Sequence, residues 1–193
     1  MHIVLASKSP RRQALLQLIV ANFDCQPADI DESVSDNELP ADYVVRVAQE
    51  KALACQAEGS VIIAADTTVV IGDDILVKPV DRDDARQMLT RLSGQVHEVL
   101  TAITIRRNKV LMSRLVTTAV TFDILSDELI DAYLETDEPW DKAGSYAVQG
   151  YGGSFVSCIN GSYSAVVGLP LRETRQLLLS FGVVPTWNGN TNG

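Results

Sequence analysis

The sequence predicts an α/β fold built on a mixed β-sheet, and three observations carry that prediction. Strand-like and helix-like segments alternate through the first half of the chain. The run from Val61 to Ile71 is the most apolar stretch and reads as a strand central to a sheet. Residues 96–106 and 110–122 then read as the arms of a long hairpin turning at Arg107-Asn108-Lys109. With 193 residues, the chain can bury roughly 70% of its unfolded surface, enough for one domain or one domain pinched into two lobes. Residues 1–184 are expected to form that single domain, and the polar stretch 185–193 a flexible tail.

Taken in order, His2 to Ala6 is a short buried strand. Ser9 is placed to cap a helix whose first residue is Pro10, where the missing N–H is no loss. Ala14, Leu15, Leu18 and Ile19 form its apolar stripe. A strand passing at once into a capped helix leaves backbone N–H groups above the turn, a general anion site. Phe23 to Ala28 reads as a second strand leading into the acidic Asp29-Ile30-Asp31-Glu32. Pro40 opens a helix reaching about Ala57, with Val44, Val47, Ala48 and Leu53 inward and Gly59 ending it.

After Val61–Ile71, Gly72-Asp73-Asp74 is a turn into a short strand at Ile75 to Val77. Ala85, Met88, Leu89 and Leu92 give residues 81–92 a helical period closed by Gly94. Ser126 caps a helix running through Glu135. Beyond the glycine-rich residues 144–153, Phe155 to Ile159 and Tyr163 to Val167 read as a tight hairpin about Asn160-Gly161. Gly168-Leu169-Pro170 opens a last helix ended by Gly182.

Composition excludes several classes. Hydrophobic residues are 46% and charged residues 21%, ordinary for a soluble globular chain, and no apolar run nears the roughly 20 residues of a membrane span. Basic residues follow only a very short apolar run at the N-terminus, the reverse of a secretory signal, so the chain reads as unprocessed. Three cysteines without CxxC spacing suit buried thiols in a reducing cytoplasm. The net charge of −9 argues against nucleic acid or an anionic membrane as partner. Its distribution says more: residues 1–20 carry +3 and residues 21–50 carry −7. A basic segment beside an acidic one suits an anion together with a divalent metal, or else a solvated acidic loop.

Two histidines, His2 and His97, leave little room for a zinc site or a Ser-His-Asp hydrolase, and His97 reads as structural. GxxxxGK[ST] is absent, and Gly150-Tyr151-Gly152-Gly153-Ser154-Phe155 fails GxGxxG at its last position. What remains gathers at element ends: Ser7, Lys8 and Arg11 on the first turn, Asp31 and Glu32 after the second strand, Lys51 on the second helix, and Lys78 before Pro79. Asp66 interrupts the most apolar strand. A carboxylate there is costly unless paired or metal-bound, and the alternative is a strand-end cap with local hydrogen bonds. Cations and carboxylates without histidine best suit metal-assisted hydrolysis of a phosphoanhydride, since Mg²⁺ favours carboxylate and phosphate oxygens.

Leu5-Ala6-Ser7-Lys8-Ser9-Pro10-Arg11-Arg12, Gln49-Glu50-Lys51-Ala52, Ala64-Ala65-Asp66-Thr67, Lys78-Pro79 and Leu92-Ser93-Gly94 resemble, in order and spacing, the Maf family of nucleotide pyrophosphatases. So do Asp141-Lys142-Ala143-Gly144-Ser145-Tyr146, Gln149-Gly150 and Val167-Gly168-Leu169-Pro170, and the similarity runs from about residue 2 to 182. The resemblance implies a twisted mixed sheet flanked by helices, in two lobes with a cleft, as in inosine triphosphatase-like proteins. It implies a cytoplasmic homodimer that cleaves a nucleoside triphosphate to monophosphate and pyrophosphate with a divalent cation, Mg²⁺ or Mn²⁺.

By position, the resemblance makes Asp66 the proton acceptor and makes Ser7, Arg11, Lys51 and Lys78 phosphate-handling groups. Glu32, with Asp31 beside it, becomes a metal or water ligand, and Asp66 a metal ligand as well. Arg11, Thr67 and Gln149 match positions linked to substrate choice, in the pattern of the branch acting on dTTP and UTP. Gln149 can read a pyrimidine's carbonyl and N–H edge, because an amide both donates and accepts. Ala147 and Val148 stand where this branch often has glycine and isoleucine. Another class of function would be a nucleotide-binding regulator of cell division acting through a protein partner, which would need the phosphate clamp but no base.

Overall fold

The computed structural model describes residues 1–186. In chain order they form β1 (Ile3–Leu5), α1 (Pro10–Gln17), β2 (Asp24–Cys25), α2 (Pro40–Ala54), β3 (Val61–Ile71), β4 (Asp74–Leu76) and α3 (Arg82–Leu92). Then follow β5 (Val96–Arg107), β6 (Val110–Phe122), α4 (Asp127–Leu134), three 3₁₀ turns between Pro139 and Phe155, β7 (Val156–Asn160), α5 (Tyr163–Val167) and α6 (Leu171–Ser180). The strands make one seven-stranded sheet in the order β2-β1-β3-β5-β6-β7, with β4 paired to β3. β1 is parallel to both β2 and β3, while β4 and β7 run antiparallel to β3 and β6. The sheet is mixed, as the sequence predicts. No helix among the described residues is long and apolar enough to cross a membrane.

Two compact units emerge: residues 1–66 with 101–116 and the chain from 168 onward, and residues 67–100 with 117–167. In the first, parallel pairing of Ile3, Val4 and Leu5 with Val61, Ile62 and Ile63 sets the register. Side chains alternate along a strand, so Ile62 and Ala64 share a face with Val4 and Ala6, and Ala52 and Cys55 of α2 cover it. β3 is apolar on both sides because both are covered, the pattern of a strand inside an α/β sheet. The second unit packs Val69, Leu76, Met88, Leu89, Phe122, Tyr133, Tyr146 and Phe155 into one core.

Capping holds where the sequence places it. The Ser9 hydroxyl accepts the Arg12 N–H with Pro10 in the first turn, and Asp81 and Ser126 cap α3 and α4 in the same way. α6 closes with Val183 N–H on Leu178 O and Gly182 N–H on Leu179 O, the paired bonds that a left-handed glycine permits.

Several expectations need correction. Tyr163 to Val167 is helical and not a returning strand: β7 pairs with β6, and the Ser162 hydroxyl accepts the Ala165 N–H to start a helix. In α1 the inward residues are Leu15 and Leu16, followed past its end by Ile19 and Val20, whereas Ala14 and Leu18 are exposed. In α2 Leu53 is 57% exposed, and Lys51 and Ala52 take the inward places. That helix ends at Ala54, before Gly59. Cys25 and Cys158 are exposed, and only Cys55 is buried. Pro185 is buried and the Thr186 N–H donates to Ile19 O, so the chain is still held at the start of the expected tail. The rest of that expected tail, 187–193, lies outside the described residues.

His97 is 1% exposed, with Nε2 at 2.8 Å from the Tyr146 hydroxyl and its ring edge-on to Phe122. Burial pushes its pKa down from 6.5 to about 4. The folded protein therefore holds a neutral imidazole where the unfolded chain takes up a proton, and stability falls as pH drops from 6.5 toward 4. The loss amounts to about 3 kcal/mol at the acid end. Urea unfolding between pH 7 and pH 4 checks this: His97→Phe should remove that share of the pH dependence, at a cost of about 1 kcal/mol for the lost hydrogen bond.

Candidate active site

Parallel pairing decides where the polar residues of the first unit collect. Leu5 pairs with Ile63, and the Ala6 N–H continues the ladder onto Ile63 O at 2.8 Å. Parallel strands advance together, so Ser7 leaves β1 at the level where β3 reaches Asp66, midway along that longer strand. Ser7 is buried, and its hydroxyl accepts the Ser9 N–H at 3.2 Å, which shapes the turn into α1. Asp66 lies two residues past Ala64, on the face that α2 covers, and is 5% exposed.

Lys51, in the last turn of α2, reaches down to it. Its Nζ lies 2.8 Å from Asp66 Oδ1 and 2.9 Å from Glu32 Oε2. The helix end adds partial negative charge that favours an ammonium there. The two pairs differ in weight. Lys51 and Asp66 side chains are 9% and 8% exposed, so removing either partner leaves a buried charge unmatched. The Glu32 side chain is 42% exposed, and solvent weakens its share.

Glu32 is held by its backbone. The Tyr43 hydroxyl donates to Glu32 O at 3.0 Å, and Arg46, one turn further along α2, donates to Ser33 O and to both carboxylate oxygens of Glu38. Arg46 also pairs with Glu50 and lies over the Tyr43 ring. These hydrogen bonds hold the Glu38 carboxyl down at about 2, so this strap over the acidic loop stays charged far into acid. Burial, then the charges of Asp66 and Glu32, push the Tyr43 phenol up to about 12.

Arg12 joins this group. Burial draws its pKa down, Asp66 and Glu32 draw it back up, and neighbouring Arg11 lowers it further. Its Nε donates to Gly168 O at 3.0 Å. Reasoning from sequence names Arg11 and passes over Arg12, although the tandem arginines on the first turn of a helix were the available signal. Asp31 is exposed and accepts from the Ser33 hydroxyl and backbone, which lowers its pKa. Among the described residues, no group of three or more His, Cys, Asp or Glu is arranged to hold a metal.

The second unit holds the remaining expected residues. Thr67 follows Asp66 on β3, and Lys78 is exposed just past β4. Gln149 lines a cavity of about 670 Å³ together with Glu138, Lys142, Ala147, Gly150 and Tyr151. Behind it, Gly144 N–H meets Val77 O at 3.4 Å, and Gly144 has φ +68 with the Val69 side chain 3.0 Å from where a Cβ would stand. Both conditions demand glycine there.

An α/β sheet whose parallel strands end in a capped helix, a buried lysine and paired carboxylates is a frame suited to a polyphosphate ligand. The chain belongs to the Maf family: residues 2–181 match the family described as Maf-like protein. It is 52% identical over 96% of each chain to the dTTP/UTP pyrophosphatase of Anaeromyxobacter dehalogenans. The dTTP/UTP pyrophosphatase of Pseudoalteromonas atlantica is 53% identical, over 91% of this chain and 95% of its own. That of Shewanella oneidensis is 50% identical, over 95% and 100%. Among solved structures, the Staphylococcus aureus Ham1 protein aligns with a TM-score of 0.45 at 12% identity, over 63% of this chain and 72% of its own, too weak a likeness to bear on function.

Replacing Lys51 by Ala should lower the unfolding free energy by about 3–5 kcal/mol, because Asp66 is left buried and unpaired. Glu32→Ala should cost less than about 1 kcal/mol, its partner pair being half in water. Denaturant titration of both variants compares them directly, and equal losses would contradict the ranking.

Proposed function

We infer that this chain is a nucleoside triphosphate pyrophosphatase that hydrolyses dTTP and UTP to the monophosphate and pyrophosphate. The observation that carries the reading is the buried Asp66, held with Glu32 on the Lys51 ammonium in the middle of β3, in a chain about half identical to dTTP/UTP pyrophosphatases. In this reading water adds across the α–β anhydride bond: its oxygen goes to one phosphorus, and the bridging oxygen leaves on the other product.

Asp66 accepts the proton of the attacking water. Lys51 keeps two carboxylates close together and meets the phosphate charge that arrives beside them. Ser7, Arg11 and Arg12 take the polyphosphate oxygens, and Lys78 serves the same chain of phosphates. Two carboxylates drawn to one ammonium, the exposed one open to solvent, are hard oxygen donors that suit a divalent ion such as Mg²⁺ or Mn²⁺, with phosphates completing its shell. Asp66 and Glu32 would hold that ion, with Asp31 beside Glu32 and its Oδ1 accepting from Ser33; when bound, it polarises the scissile phosphoryl group. Thr67 and Gln149 meet the base, the Gln149 amide offering one donor and one acceptor to a pyrimidine edge. The enzyme acts as a cytoplasmic homodimer.

Purified protein with Mg²⁺ should release pyrophosphate from dTTP and UTP, whereas release of orthophosphate alone would contradict the assigned bond. Asp66→Asn should lower kcat by about 10²–10⁴. Turnover close to that of the unmodified protein would remove Asp66 from the role of base.

A further inference from the structure

Glu138 touches the turn that carries Gln149. Both its carboxylate oxygens are engaged. Oε2 accepts the Tyr151 N–H at 2.8 Å, and Oε1 accepts the Gly152 N–H and the Tyr133 hydroxyl, each at 2.9 Å. Two of these three donors are backbone groups just after Gln149-Gly150. Lys142 closes the arrangement from the other side, its Nζ donating to Glu138 O at 2.7 Å.

Burial acts to raise the Glu138 pKa, but the N–H groups of Gly152 and Tyr151, the Tyr133 hydroxyl and Lys142 outweigh it and leave it below the usual value. The carboxylate lies so close to the turn that a Cβ on residue 150 would stand 1.8 Å from Oε2. Only glycine at 150 permits this contact. Glu138 and Gln149 also line the same cavity of about 670 Å³.

An ionised carboxylate is acceptor-only at both oxygens, so it can hold two consecutive N–H groups at once. Glutamine in its place accepts at one atom and presents an NH₂ group to the other N–H, which breaks one bond and sets donor against donor. The turn would then lose a fixed backbone position immediately after residue 149.

We propose that Glu138 is a positioning residue for substrate selection: by clamping the Tyr151 and Gly152 N–H groups it fixes where the Gln149 amide stands in the cavity. The inference rests on the reading of Gln149 as the group that meets the base. An amide held in place rewards a base that offers the matching carbonyl and N–H, and a loosened amide rewards all bases alike.

The test uses the full chain with dTTP, UTP and CTP, the last carrying an amino group where UTP has a carbonyl, and thermal melting confirms that each variant is folded. Glu138→Gln should raise KM for dTTP and UTP about tenfold with kcat within about threefold, and narrow the preference over CTP by a similar factor. In the Gln149→Ala background the same change should narrow it no further, because the effect passes through Gln149. If Glu138→Gln does not fold, Gly150→Ala, which displaces the carboxylate from the opposite side, should give the same KM rise and narrowing. An unchanged preference in a folded Glu138→Gln or Gly150→Ala variant, an equal kcat loss on all three nucleotides, or full additivity with Gln149→Ala would overturn the proposal. Gln149→Ala with its preference intact would overturn it too, and would place the failure in the base reading and not in the clamp.

Discussion

One ammonium group organises the first unit. Lys51 Nζ is bound within 3 Å by carboxylates from two different segments, Asp66 on β3 and Glu32 on the loop before α2. Burying a carboxylate in the middle of an apolar strand is tolerable only if an opposite charge is delivered to it. That requirement explains several other features. α2 must run long enough for its last turn to lie over Asp66, the strands must stay parallel so that Ser7 emerges at its level, and the acidic loop must be tied down. Tyr43 and Arg46 tie it, from consecutive turns of the helix that carries Lys51. Helix, loop and strand therefore hold one another through charge in a place where apolar packing alone would have put a valine.

The second unit solves a different problem, that of keeping a glycine-rich segment in one shape. Residues 139–155 form three short 3₁₀ turns with little regular hydrogen bonding of their own. Their order comes from side chains: Glu138 on the Tyr151 and Gly152 amides, the rings of Tyr146, Phe122, Tyr133 and Phe155 packed edge to face, and His97 on the Tyr146 hydroxyl. Aromatic edge contacts add directional preference to burial, which suits a segment that lacks backbone regularity.

Much of this was legible in the sequence. Ser9-Pro10 and Ser126 declare their helices by capping chemistry, and the apolar run 61–71 is a strand covered on both faces. Two of the differences come from charge and from β-branching, which conceal the geometry. In α2, positions 44, 47, 48, 51 and 52 make one stripe at helical spacing, but a lysine at 51 does not look inward until its carboxylate partners are known, so Leu53 was named instead. In Tyr163–Val167 the valines suggested a strand, while the decisive contacts, Thr118 holding the Ser162 N–H and Ser162 capping Ala165, join residues 44 apart or depend on that anchoring. Of the site, Asp66, Lys51 and Glu32 are legible in the sequence and stand together, while the place of Arg12 beside them is signalled only by the tandem arginines and the hydrogen bonds of Asp31 to Ser33 have no signal there. Glu138 has no sequence signal, because two of its three carboxylate partners are backbone N–H groups, which every residue but proline carries.

The absence of a side chain at Gly150 leaves a space that the Glu138 carboxylate occupies almost to the backbone. Positions 138 and 150 are therefore one inherited character. A lineage that acquires alanine at 150 while keeping glutamate at 138 must bend the turn, and one that shortens 138 frees 150 to vary. In related chains these two positions should drift together, and a pair that has changed in step would mark a cavity reshaped without disturbing the lysine and its two acids.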